Sequence, residues 1–354
     1  MERRILGSTG LEVGVIGMGG IPLTRLTVDE AAELVSYALD RGVNFIETAR
    51  GYMDSEKKVG LGVKGRRDKA IIATKCGAKD YDGMAKGIDQ SLEALGTDYI
   101  DIYQIHYIKD QESLKQALAP GAAMQALRKA RDEGKIRHIG VTAHNPGALV
   151  HCIEAGEFSN VQLPFNIVER EACDRLIPLA QERNVAVIVM KPLGGGILPN
   201  VRDSLRYILQ QPISVIALGM RLKSEVDENV ATASSSTPLS ESEMAALMRQ
   251  ADELGNTFCR RCSYCMPCPQ GVSIEMLLLA EMMYVRHGID ELMAAMNWDR
   301  YLATAEKCER CEQCADKCPY NLPIPDLIAY AAEKFMPIAQ QWRAQHPSQG
   351  EGAS

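Results

Sequence analysis

AIIATKCGAKDYDGMAKGIDQSLEALGTDYIDIYQIH, residues 70–106, holds one complete strand–helix–strand unit. Its first run, AIIATK (70–75), and its last, YIDIYQIH (99–106), are short, apolar and rich in β-branched or aromatic residues, as fully buried strands are. Between them, AKGIDQSLEAL (85–95) carries Ala85, Ile88, Leu92 and Leu95 on one helical face.

The same alternation extends in both directions. Further strand-like runs are VGVIGMG (13–19), VNFIET (43–48), IRHIGVTA (136–143), VQLPFN (161–166), VAVIVMK (185–191) and ISVIALG (213–219). Helical stretches lie between them, including AAMQALRKARDEG and REACDRLIPLAQER. Thr27 followed by Asp29 and Glu30 suits a helix start, and Gly134 suits a C-terminal cap. Eight strands alternating with helices between residues 13 and 219 are the signature of an α/β fold of the (β/α)₈ TIM-barrel type. A doubly wound open sheet is the second choice. The opening RRILGSTGLEV reads as a hairpin with Gly7 and Gly10 in its turns, placed to cap the N-terminal mouth.

Composition narrows the function classes. The formal net charge of −7 argues against nucleic acid and against an anionic membrane surface. No apolar run approaches the ~20 residues of a membrane span. MERRILGSTG lacks an apolar signal core, so a cytoplasmic location is expected. The Ser-rich stretch TASSSTPLSES (232–242) reads as a linker, and the chain beyond it turns Cys- and Met-rich without a strand pattern. The expected division is a barrel over 1–235, a mainly α-helical domain over 236–346 and a disordered tail over 347–354.

The chain has 11 cysteines, too many for a reducing compartment unless they bind something. Eight fall into two quartets: Cys259, Cys262, Cys265 and Cys268, then Cys308, Cys311, Cys314 and Cys318, each ending in Cys-Pro. The second has the C-x₂-C-x₂-C-x₃-C-P spacing of [4Fe–4S] ferredoxins. Three closely spaced thiolates hold one cluster, and the fourth ligates the other. Crossed ligation then joins Cys318 to Cys259, Cys262 and Cys265, and Cys268 to Cys308, Cys311 and Cys314. The first quartet has two residues rather than three before Cys268, so one cluster or two remain open, with two favoured. Structural zinc is the alternative, but it takes four ligands and gives no reason for paired quartets. Cys76, Cys152 and Cys173 stand alone and read as inert thiols.

In a barrel, chemistry gathers at the C-terminal ends of the strands. Glu47, Lys75 and His106 end successive runs, and Tyr52 follows the second. An ammonium beside a phenol favours the phenolate, a carboxylate holds the ammonium, and an imidazole can bond a carbonyl oxygen. Together they suit a proton donor for carbonyl reduction.

These residues and several long stretches resemble the aldo-keto reductases, in the branch with a C-terminal ferredoxin-type domain. The stretches are RILGSTGLEVGVIGMGG (4–20), NFIETARGYMDSEKKVG (44–60), SLEALGTDYIDIYQIH (91–106), GKIRHIGVTAH (134–144) and VIALGMRLKSEVDENV (215–230). The resemblance implies that Tyr52 is the proton donor, supported by Lys75 and His106, with Glu47 where the family usually has Asp. It implies NADP(H) or NAD(H) across the barrel mouth. Thr142, His144 and Gln162 would face the carboxamide, Lys191, Pro192, Leu193 and Gly194 would pass the pyrophosphate, Glu228 and Asn229 would meet the adenine, and Gly219 would also contact the dinucleotide. Met190 stands where many relatives have an aromatic ring. Arg221 and Lys223 favour a 2′-phosphate, hence NADP, while Glu225 opposes one.

The reading that follows is an NAD(P)H-dependent oxidoreductase acting on a small-molecule aldehyde or ketone, or on an alcohol in reverse, with [4Fe–4S] clusters appended. The alternative is an electron-transfer or nucleotide-sensing protein whose barrel binds NAD(P) but turns over little. A redox protein partner fits either. Nicotinamide transfers two electrons as hydride whereas a cluster takes one, so the clusters suit a structural role as well as electron transfer.

Overall fold

The computed structural model describes the chain except Ser236, Cys262, Ser263, Ala295 and residues 347–354. The expectation of a disordered tail and the expected ligand Cys262 therefore lie outside the described residues. Two compact units form: Met1–Pro192 with Asn200–Met244, and Leu193–Pro199 with the described residues from Ala245 onward.

The first unit opens with a hairpin, β1 (Arg3–Ile5) against β2 (Glu12–Gly14). Eight parallel strands follow: β3 (Ile16–Gly19), β4 (Phe45–Glu47), β5 (Ile71–Cys76), β6 (Ile100–Ile105), β7 (Ile136–Thr142), β8 (Asn160–Pro164), β9 (Ala186–Met190) and β10 (Val215–Gly219). They close in sequence order, with β10 bonded to β3. The expected barrel is the observed fold, and the open sheet is excluded by that closure.

The helices around it are α1 (Val28–Asp40), α2 (Ser55–Gly62), α3 (Tyr81–Leu95), α4 (Gln111–Leu118), α5 (Ala123–Asp132), α6 (Pro146–Glu154), α7 (Leu176–Glu182), α8 (Val201–Leu209) and α9 (Lys223–Ser234). The start at Thr27 is a capping box: Glu30 N–H donates to Thr27 Oγ1 at 3.3 Å, and Thr27 N–H to Glu30 Oε2 at 2.8 Å. Gly134 closes α5 at φ +76°, a backbone angle that favours glycine.

Inside the barrel, Phe45, Ala73, Ile102, Ala186, Ile188, Val215 and Ala217 form an apolar layer, and Leu6 from the hairpin joins it, fully buried. The hairpin thus stops the N-terminal end. Ser8 N–H donates to Asn184 O at 2.8 Å, and a Cβ on Gly7 would lie 2.5 Å from Ala186 N. Only glycine permits that approach.

Two sequence expectations change. The run 13–19 is divided: Val13 pairs with Arg4 in the hairpin, and the barrel strand starts at Ile16. The Ser-rich stretch is also shorter as a connection, because α9 runs to Ser234 and α10 (Glu241–Gly255) begins soon after. Buried Arg206 straps it: its guanidinium donates to Thr237 O at 3.1 Å, to Pro238 O at 3.0 Å and to both Glu243 oxygens at 2.8 and 3.2 Å.

Beyond α10 the second unit comprises α11 (Ile274–Leu278), α12 (Ala280–Ala294), α13 (Trp298–Leu302), α14 (Gln313–Asp316) and α15 (Ile324–Gln345), with no strand among the described residues. Its core gathers Leu277, Met282, Leu292, Trp298, Ile328 and Phe335, the Trp298 and Phe335 rings lying 5.3 Å apart. Cys259 and Cys318 belong to this core.

Candidate functional site

Side chains on a strand alternate faces, and in-register parallel partners share one. Glu47 pairs with Ala73, Lys75 with Gln104, and Thr142 with Gln162. Ala73 is an inward residue, so Glu47 and Lys75 point inward near the C-terminal ends of β4 and β5. Lys75 is 1% exposed and Glu47 5%. A charge so deeply buried must be paired. Lys75 Nζ donates to Glu47 Oε1 in a direct ion pair and to Thr48 O at 2.8 Å. The methylene by which Glu47 exceeds the usual Asp does not keep its carboxylate from the lysine.

Tyr52 sits on the loop between β4 and α2, half-buried. Arg50 N–H donates to Lys75 O at 3.0 Å, and Tyr52 N–H to Ala49 O at 3.0 Å, which folds the loop back over the strand end. Lys75 Nζ consequently lies 4.7 Å from the centroid of the Tyr52 ring. The His106 ring meets Tyr52 edge-on at 6.1 Å and 85°. Burial, reinforced by the charges of Lys75, Lys79 and Lys191, pushes the His106 pKa down to about 3. Its imidazole is neutral near pH 7, so it can bond an oxygen but cannot be a cationic acid.

Thr142 ends β7, and its Oγ1 accepts from Tyr107 N–H at 2.9 Å. Gln162 Nε2 donates to Glu47 Oε1 at 3.2 Å, adding a third contact to the Glu47–Lys75 pair. Gln162 Oε1 is buried without a hydrogen-bond partner. An orphaned acceptor of that kind fits an incoming amide or hydroxyl donor. His144 Nε2 is 2.9 Å from Lys191 Nζ, and Met190 ends β9 half-buried. The structure thus brings Glu47, Tyr52, Lys75 and His106 together, with Gln162 behind them.

The remaining expected residues are spread over the end of β10, the chain running into and along α9, and the chain after β9. Gly219 ends β10, Arg221 and Glu228 are exposed and Asn229 is buried on α9. Lys223 pairs with Glu33, and Glu225 Oε2 accepts from the N–H groups of Arg221 and Leu222 at 2.6 and 3.1 Å. Sequence treated Glu225 as a charge facing a phosphate; here it caps α9. Pro192 closes the first unit's segment, whereas Leu193 and Gly194 fall in the second unit, where a Cβ on Gly194 (φ +60°) would meet Phe258 at 3.2 Å. Sequence reasoning missed Lys79, whose spacing after Lys75 carries no signal.

In the second unit, Cys265, Cys268, Cys308, Cys311 and Cys314 line one small cavity. None of the described cysteines is in a disulfide. Arg261 and Arg310, each directly preceding the second cysteine of its quartet, adopt φ +57° and +53°. Non-glycine residues rarely take that conformation, and it recurs at the equivalent position of each quartet. Thiols that line one cavity are the donor type that an iron–sulfur cluster takes.

A barrel closed on a buried ion pair, with a phenol and a neutral imidazole at its strand ends, belongs to the class of barrel oxidoreductases. The family comparisons place it within that class. Residues 14–204 match the aldo/keto reductase family, and residues 258–322 match a 4Fe-4S dicluster domain. The chain belongs to the aldo/keto reductase family and is an NAD(P)H-dependent oxidoreductase with a C-terminal 4Fe-4S domain. It is 31% identical over 282 residues to L-galactose dehydrogenase of Arabidopsis thaliana, covering 65% of this chain and 88% of that protein. It is 28% identical over 229 residues to an NADH-specific methylglyoxal reductase of Escherichia coli, covering 56% and 69%. An aldo-keto reductase from Bacillus halodurans shares the fold with a TM-score of 0.60 at 24% identity, over 72% of this chain and 96% of that one. No helix among the described residues is long and apolar enough to cross a membrane.

Proposed function

We propose that the barrel reduces an aldehyde or ketone with NAD(P)H, or oxidises an alcohol in reverse, and that Tyr52 gives the carbonyl oxygen its proton. The observation that carries this reading is Lys75 Nζ, held by Glu47 and Thr48 O at 4.7 Å from the Tyr52 ring centroid. A fixed positive charge at that position stabilises the phenolate left when the proton departs. When bound, the dinucleotide supplies the hydride to the carbonyl carbon. Glu47 keeps Lys75 in place, and neutral His106 bonds the carbonyl oxygen without competing for its proton. Gln162 Oε1, with Thr142 and His144, would hold the carboxamide.

Within the barrel unit, Lys191 and Pro192 would pass the pyrophosphate, Gly219 would contact the dinucleotide, and Glu228 and Asn229 would meet the adenine. With Lys223 engaged by Glu33, selection of a 2′-phosphate falls to Arg221, which supports NADP over NAD. The NADH specificity in the Escherichia coli relative's name makes that preference a point for direct measurement. In the second unit the reading is two clusters ligated crosswise; the cavity that Cys268 shares with Cys308, Cys311 and Cys314 supports the second of them, and Cys265 lines it too.

The test is Tyr52→Phe in the full-length protein, assayed anaerobically with NADPH and NADH across a panel of carbonyl compounds. Turnover should fall by roughly 10²- to 10⁴-fold while nucleotide binding is retained. Undiminished turnover removes Tyr52 as the acid.

A further inference from the structure

Lys79 lies on the loop after β5, and its ammonium does not reach solvent alone. Nζ donates to His106 O at 3.0 Å and to Tyr107 O at 3.1 Å. Two consecutive carbonyls converge on one donor only when the chain turns between them. Tyr107 makes that turn at φ +67°, a left-handed conformation that non-glycine residues rarely adopt. The turn is held from the other side as well: Tyr107 N–H donates to Thr142 Oγ1 at 2.9 Å, and Ile108 N–H to Thr142 O at 2.8 Å. His106 itself is tied back by its N–H to Cys76 O at 2.8 Å.

The lysine is anchored in turn. Ala123 N–H donates to Lys79 O at 2.9 Å, and the next residue, Asp80, bridges to Ala122 and caps α3 through Gly83 N–H at 2.7 Å. Its main chain is thus fixed at the start of α5 and its side chain at the end of β6.

We propose that Lys79 is a positioning residue: by clamping the carbonyls of His106 and Tyr107 it fixes the His106 imidazole in the barrel mouth. This rests on the reading of His106 as the group beside the reacting carbonyl. The charged and titratable groups facing His106 are Lys75 from β5, Lys79 from the loop after it, Lys191 after β9, and Tyr52 edge-on from the loop after β4. Three cations around one imidazole disfavour a fourth. Lys79 is itself pushed down to about 8 by burial.

The experiment uses the full-length holoprotein with Lys79→Met and Lys79→Arg. An arginine fork can still donate to two carbonyls and stays charged; methionine keeps the stem and does neither. Lys79→Met should lower kcat for carbonyl reduction by roughly ten- to a hundred-fold, with nucleotide affinity unchanged, and Lys79→Arg should restore most of it. The His106 ring resonances, assigned with a His106→Gln variant, should shift in Lys79→Met and show proton uptake in a pH range where the wild-type ring stays neutral. A residue that merely holds the loop would move stability but not this titration. Wild-type resonances and turnover in Lys79→Met overturn the proposal, as does Lys79→Arg behaving like Lys79→Met. Should the barrel turn over no carbonyl compound, the resonances alone still decide the role of Lys79.

Discussion

The two units solve the problem of buried polar chemistry in opposite ways. The barrel brings its own partners: Lys75 finds Glu47, Thr48 O accepts from the same ammonium, and Gln162 braces the carboxylate. Its site is organised before any ligand arrives. The second unit has a core of Trp298, Phe335 and several methionines, but the segments that carry its cysteines, with Cys314 on α14, use left-handed backbone at Arg261, Arg310 and Glu312. Thiols make poor mutual partners, and such loops persist only when something over-determines them. The contrast is between a site that folding completes and a site that iron–sulfur ligation completes.

The largest effect should come from taking the clusters away. Chelation with oxidation should abolish iron and acid-labile sulfide, remove the broad brown absorbance and melt helices of the second unit, and Cys308→Ala with Cys311→Ala should remove the share of iron and sulfide that belongs to the cluster they ligate. Circular dichroism should lose helical signal, while proteolysis should spare the barrel. Full retention of helix after metal loss would break the comparison.

Glu47→Gln strikes the opposite kind of site. It leaves a buried ammonium without its carboxylate, and removing one partner of a buried pair costs about 3–5 kcal/mol. Urea unfolding of the barrel should show that loss. Glu47→Asp should recover part of it, because the shorter carboxylate retains the charge.

The smallest effect is a pH slope. Burial and three lysines hold His106 down to about 3, from 6.5. As pH falls through 6.5, the unfolded chain takes up this proton before the folded one does. The stability associated with neutral His106 is therefore complete above the unfolded pKa and lost as pH falls toward the folded one. His106→Gln should flatten the dependence of the urea midpoint on pH over that window. An unchanged slope would mean that solvent reaches the ring.

How much of this the sequence disclosed depended on the range of the interaction. Strand and helix periodicity is local, so the eight barrel strands were legible, as were the Thr27 cap and the Gly134 stop. The division at Val15 was not, because Val13 and Ile16 carry the same apolar pattern although one pairs in a hairpin and the other in the barrel. Strand-end chemistry pointed to Glu47, Lys75, His106 and Tyr52. Pairings across the chain were opaque: Arg206 strapping the Ser-rich stretch, Lys223 meeting Glu33, and Lys79 reaching two carbonyls all depend on residues that only the fold brings close. The cysteine quartets declared their donor type by spacing, yet the matched loops at Arg261 and Arg310 needed backbone angles.

Because the barrel interior is packed from the Leu6 plug of the hairpin upward, nothing crosses it, and whatever binds at the C-terminal strand ends rests on a floor of side chains instead of on water.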